Sequence, residues 1–395
     1  MRIAYLSVSD QLGGSEVVLL EILKGVRRLR PAWDLQLILP GRGPLLECAE
    51  AIGAEAVVVP MPPPLGRLGE AGASPVGLFA RFVPAALALP GYLRRVRTVL
   101  DAGRPDVLHT NGLKAHVVGA RAAGASKLVW HMHEYIGTRR LTRSLLAWHQ
   151  TRVAAMIANS RSVAADVTDA LHPAIPVGVV PNAVDLTVFS PDGPFENLDR
   201  RAGLDTPPPP VVRIGLVATY ARWKGHDVFL EALAALPTEM PVRGYVIGGP
   251  LYDTAGSQIS IEELQGLARR LGLADRVGFT GFLPPAPAMR ALDIVVHAST
   301  RPEPFGLVIA EGMACGRAVI TSGAGGAAEL VEAGRDALTH TPGDARSLAA
   351  TLARLVTDPE LRRSLGARAR VSACQRFDSE RLARDVVGVY EAIHD

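Results

Sequence analysis

The chain has 395 residues, 48% apolar and 21% charged, with a net charge of +3. That length is enough to bury two cores, and the absence of any low-complexity tract or long uncharged apolar run excludes a disordered or membrane-spanning chain; Pro75 to Tyr92, broken only by Arg81, comes nearest. Cys48, Cys315 and Cys374 show no metal or redox spacing, so a reduced, cytoplasmic protein is expected.

Met1 to Ser9 reads as a strand start rather than a signal peptide. Ile3 to Val8 is an apolar run, Gly13-Gly14 a turn, and Val17, Val18, Leu20, Leu23 and Val26 recur at helical spacing. Strand, glycine turn and helix describe the first unit of a doubly wound sheet, with the loop at the carboxyl edge where ligands bind. Further strands are predicted at Leu35 to Leu39, Ala56 to Val59, Asp106 to His109, Leu128 to His131 and Ala155 to Ala158. Between them Met61 to Ser74 reads as a mobile loop, and Val76 to Leu100 as an amphipathic segment broken by Pro84 and Pro90.

Asn111-Gly112 and the strand end at His131 and His133 fall at the same carboxyl edge. Ser190 to Pro210, with its run of prolines, reads as an interdomain linker. A second alternating set follows at Val211 to Val217, Gly244 to Ile247, Val277 to Thr280, Asp293 to His297 and Ala318 to Thr321. The predicted domains are 1–188 with a returning helix 377–395, and 189–376.

Charge is uneven along the chain. Residues 67–152 carry 13 Lys and Arg against 4 Asp and Glu, a field for an anionic partner. Without interleaved aromatics or a known binding motif it does not read as a nucleic-acid surface. Lipid head groups or a phosphorylated acceptor fit better, so 67–152 is a candidate peripheral contact at the inner face of a membrane; an ordinary basic surface reads equally well.

The most informative stretch is Arg301-Pro-Glu-Pro-Phe-Gly-Leu-Val-Ile-Ala-Glu311, followed by Gly-Met-Ala-Cys-Gly316. Pro302 and Pro304 forbid regular helix before Phe305, and good helix formers follow, so a helix is predicted from about Phe305. The free amides of Phe305, Gly306 and Leu307 then form an anion site suited to a diphosphate. Glu311, on the second turn, is placed to accept hydrogen bonds from ribose hydroxyls. Glu303, ahead of the helix, faces whatever lies beyond the phosphates.

Here the sequence resembles the retaining GT-B glycosyltransferases of family 4, whose E-x7-E motif corresponds to Glu303 and Glu311. The resemblance extends to Gly325-Gly326 and Glu329, to Asn159-Ser160, and to Val179-Val-Pro-Asn182-Ala-Val-Asp185, where Ala183 stands for the usual glycine. It implies an α/β GT-B fold of two Rossmann-like domains, an interdomain cleft, and a C-terminal crossover helix. It makes Gly13 and Gly14 the loop over the donor phosphates and reacting sugar. It makes His133 the contact to the donor sugar, with Glu134 in place of the usual Asp and His131 as the second choice. In Thr219-Tyr-Ala-Arg222-Trp-Lys224-Gly225 it makes Lys224 part of a diphosphate clamp. The usual arginine of that clamp falls on Thr219, so Arg222 would serve instead. Gly248 and Gly249 would lie beneath the nucleotide.

The implied reaction is transfer of a sugar from a nucleotide-diphosphate donor, a UDP-sugar by family frequency, to a hydroxyl acceptor, with anomeric configuration retained. Its implied course is front-face substitution, with Glu303 holding sugar hydroxyls; double displacement is the alternative. Asn111 would line the acceptor side, while Arg139, Arg140 and Arg143 read either as a site for an anionic or lipid-linked acceptor or as a solvated face. A cell-envelope glycan or glycolipid, or another glycoconjugate, is the expected product class, with lipid and natural-product acceptors also open. The chain carries no Asp-x-Asp and no evident metal triad, so no metal cofactor is expected. Two rival readings are a UDP-sugar 2-epimerase of the same fold and a catalytically inactive nucleotide-sugar-binding protein.

Overall fold

The computed structural model describes residues 1–68, 75–206, 210–251 and 258–394, with residues 75–81 described by backbone alone. The chain forms two compact units, Met1–Ala183 with Ser379–Asp395, and Val184–Asp378.

Among the described residues of the first unit, β1 (Arg2–Ser7), β2 (Asp34–Leu39), β3 (Glu55–Val58), β4 (Val107–Asn111), β5 (Lys127–Met132), β6 (Val153–Ala158) and β7 (Val177–Val179) make one parallel sheet in the order β3-β2-β1-β4-β5-β6-β7. Those of the second, β8 (Val212–Val217), β9 (Val242–Ile247), β10 (Val277–Gly281), β11 (Ile294–His297), β12 (Ala318–Thr321) and β13 (Leu338–Thr339), are also parallel, in the order β10-β9-β8-β11-β12-β13. The inner strands are near-continuous apolar runs because helices cover both faces, which leaves no exposed face for polar alternation. Strand order reverses between β1 and β4 in one sheet and between β8 and β11 in the other, and in such sheets ligands bind at the carboxyl ends beside the reversal. β7 and β13 are too short for their periodicity to show in sequence.

In the first unit the helix Gly14–Leu29 packs on the C-terminal helix Ser379–His394, which buries Leu382, Val386, Val387 and Tyr390. Gly25 permits the close approach, since a Cβ there would stand 2.3 Å from that of Ala383. Ser379 Oγ donates to Glu21 at 2.7 Å, and Arg30 pairs with Glu391 at 2.7 Å.

Several sequence expectations are corrected. Residues 184–188 belong with the second unit rather than the first: Val184 is bridged to Asp378, and Val184, Leu186 and Phe189 pack in the second core. Ser190 to Pro210 is no linker, although Pro207 to Pro209 lie outside the described residues. It carries a helix, Leu198–Ala202, whose buried Asp199 receives hydrogen bonds from Tyr245 at 2.7 Å, Arg213 at 3.1 Å and Arg243 at 3.2 Å. The segment Pro75–Gly103 is one continuous helix through Pro84 and Pro90. Both prolines are exposed, so the carbonyls they leave without donors turn to water. Within the predicted loop Met61 to Ser74, Pro63–Gly66 forms one helical turn, and residues 69–74 lie outside the described residues.

Candidate active site

In the second unit the loop after β8 runs through a tight turn, Arg222–Lys224, into the helix His226–Ala234. Gly225 makes the junction at φ +71°, where a Cβ would stand 2.0 Å from Ala298 O, so only glycine fits. This junction fixes where Lys224 starts. Its ammonium donates to Glu303 at 2.9 Å (Oε1) and 2.8 Å (Oε2), joining the β8 loop to the loop after β11.

Glu303 is held from every side. Ser299 Oγ donates to Oε2 at 2.8 Å, and His297 Nε2 lies 3.5 Å away. The Glu303 N–H donates to Ala324 O at 3.2 Å, and its carbonyl accepts from the Ala327 N–H at 3.3 Å. Burial opposes ionisation here, but Lys224 and His297 outweigh it and hold the carboxyl well below the usual range. Glu303 is therefore a fixed anion at neutral pH.

The E-x7-E helix starts at Leu307, two residues later than expected, because Gly306 sits in the left-handed region at φ +97°. The Ile309 N–H is already bonded to Gly306 O at 3.0 Å; among the described residues the amides of Leu307 and Val308 have no acceptor. Phe305 lies in the core, its ring edge-on to Phe377 at 5.9 Å. Glu311 has no protein donor among the described residues, and burial lifts its carboxyl to about 7. A mostly buried carboxylate with some accessible surface and no partner among the described residues suits hydroxyl donors from outside the protein.

Gly248, at φ +136°, lets β9 turn beneath this edge, and its N–H is taken by Gly281 O at 2.9 Å. A Cβ on Gly249 would meet the Phe282 ring at 2.8 Å, and that ring is itself exposed. Arg222 points elsewhere, paired with Glu263 at 3.3 Å. Glu263 attracts it because it closes a capping box with Ser260 at the start of the helix Ile261–Arg270.

In the first unit Gly13 caps the helix Gly14–Leu29 in extended conformation, with Gly14 exposed. Asn111, at the end of β4, donates from Nδ2 to Ser15 O at 3.3 Å and lies 3.5 Å from Glu16 Oε1. His131 and His133 share a side, ring centroids 4.0 Å apart, and His109 follows at 5.2 Å from His131, its Nδ1 hydrogen-bonded to Tyr390 at 2.7 Å. Among the described residues the ring nitrogens of His131 and His133 are shielded and have no hydrogen-bond partner, although part of His133 is accessible. Burial lowers His133 to about 4, so its ring is neutral at physiological pH. Each unmet buried polar atom costs roughly 1–3 kcal/mol, a cost accounted for when a ligand hydroxyl completes the bond. Arg139 pairs with Glu134 at 3.1 Å, Arg140 opens the helix Arg140–His149, and Arg143 lies exposed on it.

A family model for glycosyl transferases group 1 matches residues 208–372, and one for glycosyltransferase family 4 matches residues 12–188. The D-inositol 3-phosphate glycosyltransferase of Thermomonospora curvata is 31% identical over 305 residues, which cover 69% of this chain and 68% of that protein. The chain belongs to the group 1 glycosyl transferases.

The corresponding enzyme of Xylanimonas cellulosilytica is 32% identical over 253 residues; the match covers 60% of this chain and spans 56% of that relative's length. Crystal structures of Anabaena Alr3699/HepE, one in complex with UDP and glucose and one with UDP-glucose, match this group 1 chain at a TM-score of 0.81 and 27% identity, covering 99% of it and 100% of theirs. Its two parallel α/β units are those of the GT-B fold. Sequence reasoning missed His297 and Ser299, the partners of Glu303. Their only signal was position, at and just after the carboxyl end of the predicted strand Asp293 to His297. Among the described residues no three His, Cys, Asp or Glu side chains form a group that could hold a metal ion, and no helix is long and apolar enough to cross a membrane.

Proposed function

We propose that this group 1 glycosyl transferase moves a sugar from a UDP-sugar to a hydroxyl of a phosphorylated or lipid-linked acceptor, with retention of anomeric configuration. The observation that carries the reading is the Lys224–Glu303 pair at the carboxyl edge of the second sheet, with the free amides of Leu307 and Val308 close by in sequence. A diphosphate competes with Glu303 for the Lys224 ammonium. Once exchanged, the ammonium and the helix amides stabilise the leaving phosphate oxygens as the glycosidic bond breaks. Glu303, kept ionised, then accepts hydrogen bonds from donor-sugar hydroxyls, and Glu311 accepts them from the ribose. Phe282, exposed beside Gly249, offers a face to the base. The neutral His133 serves as a hydrogen-bonding partner of the sugar rather than as an acid. In front-face substitution the leaving diphosphate oxygen takes the acceptor proton, which leaves no separate base to be supplied.

UDP and UDP-glucose in the Anabaena protein support the donor class, and the inositol-phosphate enzymes support an anionic polyol acceptor, for which Arg139, Arg140 and Arg143 are candidates. A cell-envelope glycolipid remains within that class. The test is nucleotide release from UDP-, GDP- and ADP-sugars with EDTA present, with and without inositol phosphates. UDP release with a transferred sugar is expected. An isomerised donor with no transfer, or donor binding with no turnover for any acceptor, would overturn the reading.

A further inference from the structure

The second unit carries another charged site, on the sheet edge opposite Glu303. At the amino ends of β11 and β12 lies a groove of about 500 Å³ lined by Arg317, Arg362, Arg363, Arg370 and Asp293, among others. No carboxylate lies within ion-pair distance of any of the four arginines among the described residues. Asp293, the one acid in the lining, is already engaged, accepting the Arg213 N–H at 2.8 Å.

Three of the guanidinium groups are held in place by backbone carbonyls. Arg317 donates from Nε to Cys315 O at 2.9 Å and from Nη1 to Leu292 O at 3.2 Å. Arg362 donates from Nη1 to Leu355 O at 2.6 Å, and Arg370 from Nη1 to Ala314 O at 2.8 Å and Phe189 O at 2.9 Å. The bonds to Cys315 O, Ala314 O and Leu355 O satisfy the ends of the helices Leu307–Ala314 and Ala345–Thr357, those to Leu292 O and Phe189 O tie down neighbouring loops, and these structural roles account for them. They do not account for what is left over. The Nη2 groups of all three and the whole head of Arg363 have no protein acceptor among the described residues. Carbonyl anchoring leaves these donors oriented, so little side-chain entropy is lost when an anion arrives. Guanidinium forks that line one groove and have no carboxylate paired to them among the described residues suit the oxygens of a phosphate.

We propose that this groove is a second ligand site of the chain, binding a phosphate or diphosphate group, whether of a free metabolite or of a phospholipid head group. It is independent of the donor site, because no residue is shared.

Arg363→Glu tests it, since Arg363 is exposed and among the described residues makes no hydrogen bond or ion pair whose loss would unfold the chain; Arg363→Lys keeps the charge. Calorimetric titration with inorganic pyrophosphate, run with UDP in excess, and sedimentation with phosphatidylglycerol or phosphatidylcholine vesicles form the two arms. Pyrophosphate binding that weakens about tenfold in Arg363→Glu and persists in Arg363→Lys assigns a free phosphate ligand. Sedimentation with phosphatidylglycerol alone, lost in Arg363→Glu, assigns a lipid head group. If neither pyrophosphate nor vesicle binding differs between the wild type and Arg363→Glu, the arginines only tie down helix ends and loops and the proposal fails. Neither arm reads transfer activity, so failure of the donor assignment would leave this outcome readable.

Discussion

At the residue scale, two carboxylates eight positions apart are driven in opposite directions. Glu303 is buried beside a cation and stays ionised, whereas Glu311 is shielded without one and titrates near 7. If ribose hydroxyls stabilise the Glu311 carboxylate, nucleotide binding lowers its pKa and expels a proton. UDP affinity should then rise between about pH 6 and 8. Calorimetry in buffers of different ionisation heat should show proton release that disappears in Glu311→Gln; unchanged release would remove Glu311 from the ribose. For Glu303 the folded pKa is depressed, so its contribution to stability is present above the ordinary carboxylate value and is lost as pH falls through the folded value. Lys224→Met leaves the carboxylate buried without its cation. About 3 kcal/mol of stability should be lost at pH 7, and the dependence should reverse, stability now falling as pH rises through the carboxylate range. Denaturant unfolding from pH 2 to 8 measures both, the wild-type loss falling below about pH 4. The motif string made these carboxylates legible in sequence. His297 and Ser299 were not, because only strand register brings them to Glu303.

At the element scale, the loops that carry the site are set by backbone geometry. Gly225 and Gly248 occupy positive φ with a carbonyl 2.0 Å from where a Cβ would sit, and Gly306 delays the helix after Pro304. Proline and glycine positions gave the loops but not the first helical residue, since a left-handed residue cannot be told from a permissive one by identity alone. The segment 190–210 misled for a related reason. Proline-rich composition also suits a surface strap, and here a buried acid ties it down. Asp199→Ala should leave Arg213, Arg243 and Tyr245 without their shared acceptor and lower stability by about 3–5 kcal/mol, with donor chemistry otherwise intact. A loss under about 1 kcal/mol, measured by urea unfolding, would show that 190–210 is attached weakly after all.

At the scale of the whole molecule, each unit has its own sheet and core, and the proposed donor groups other than Gly13, Gly14 and His133 fall in the second. UDP alone should therefore act on one unit first. At about 100 times its dissociation constant it should add about 2.7 kcal/mol to the stability of the unit that binds it. Hydrogen exchange should slow chiefly within 219–226, 248–249 and 297–311. Protection confined to the first unit would place the nucleotide elsewhere.

The sequence by itself determined the family resemblance, the alternating α/β order, and the residue types of the proposed donor site. These depend on local strings and on hydrophobic periodicity, which survive without coordinates. Only the tertiary structure decided that Lys224 meets Glu303, that Arg222 is drawn to Glu263, and that four arginines gather at the far edge of the second sheet. Each of these joins residues far apart in the chain, and which of many cations reaches which anion is fixed by strand order and helix packing rather than by any local pattern.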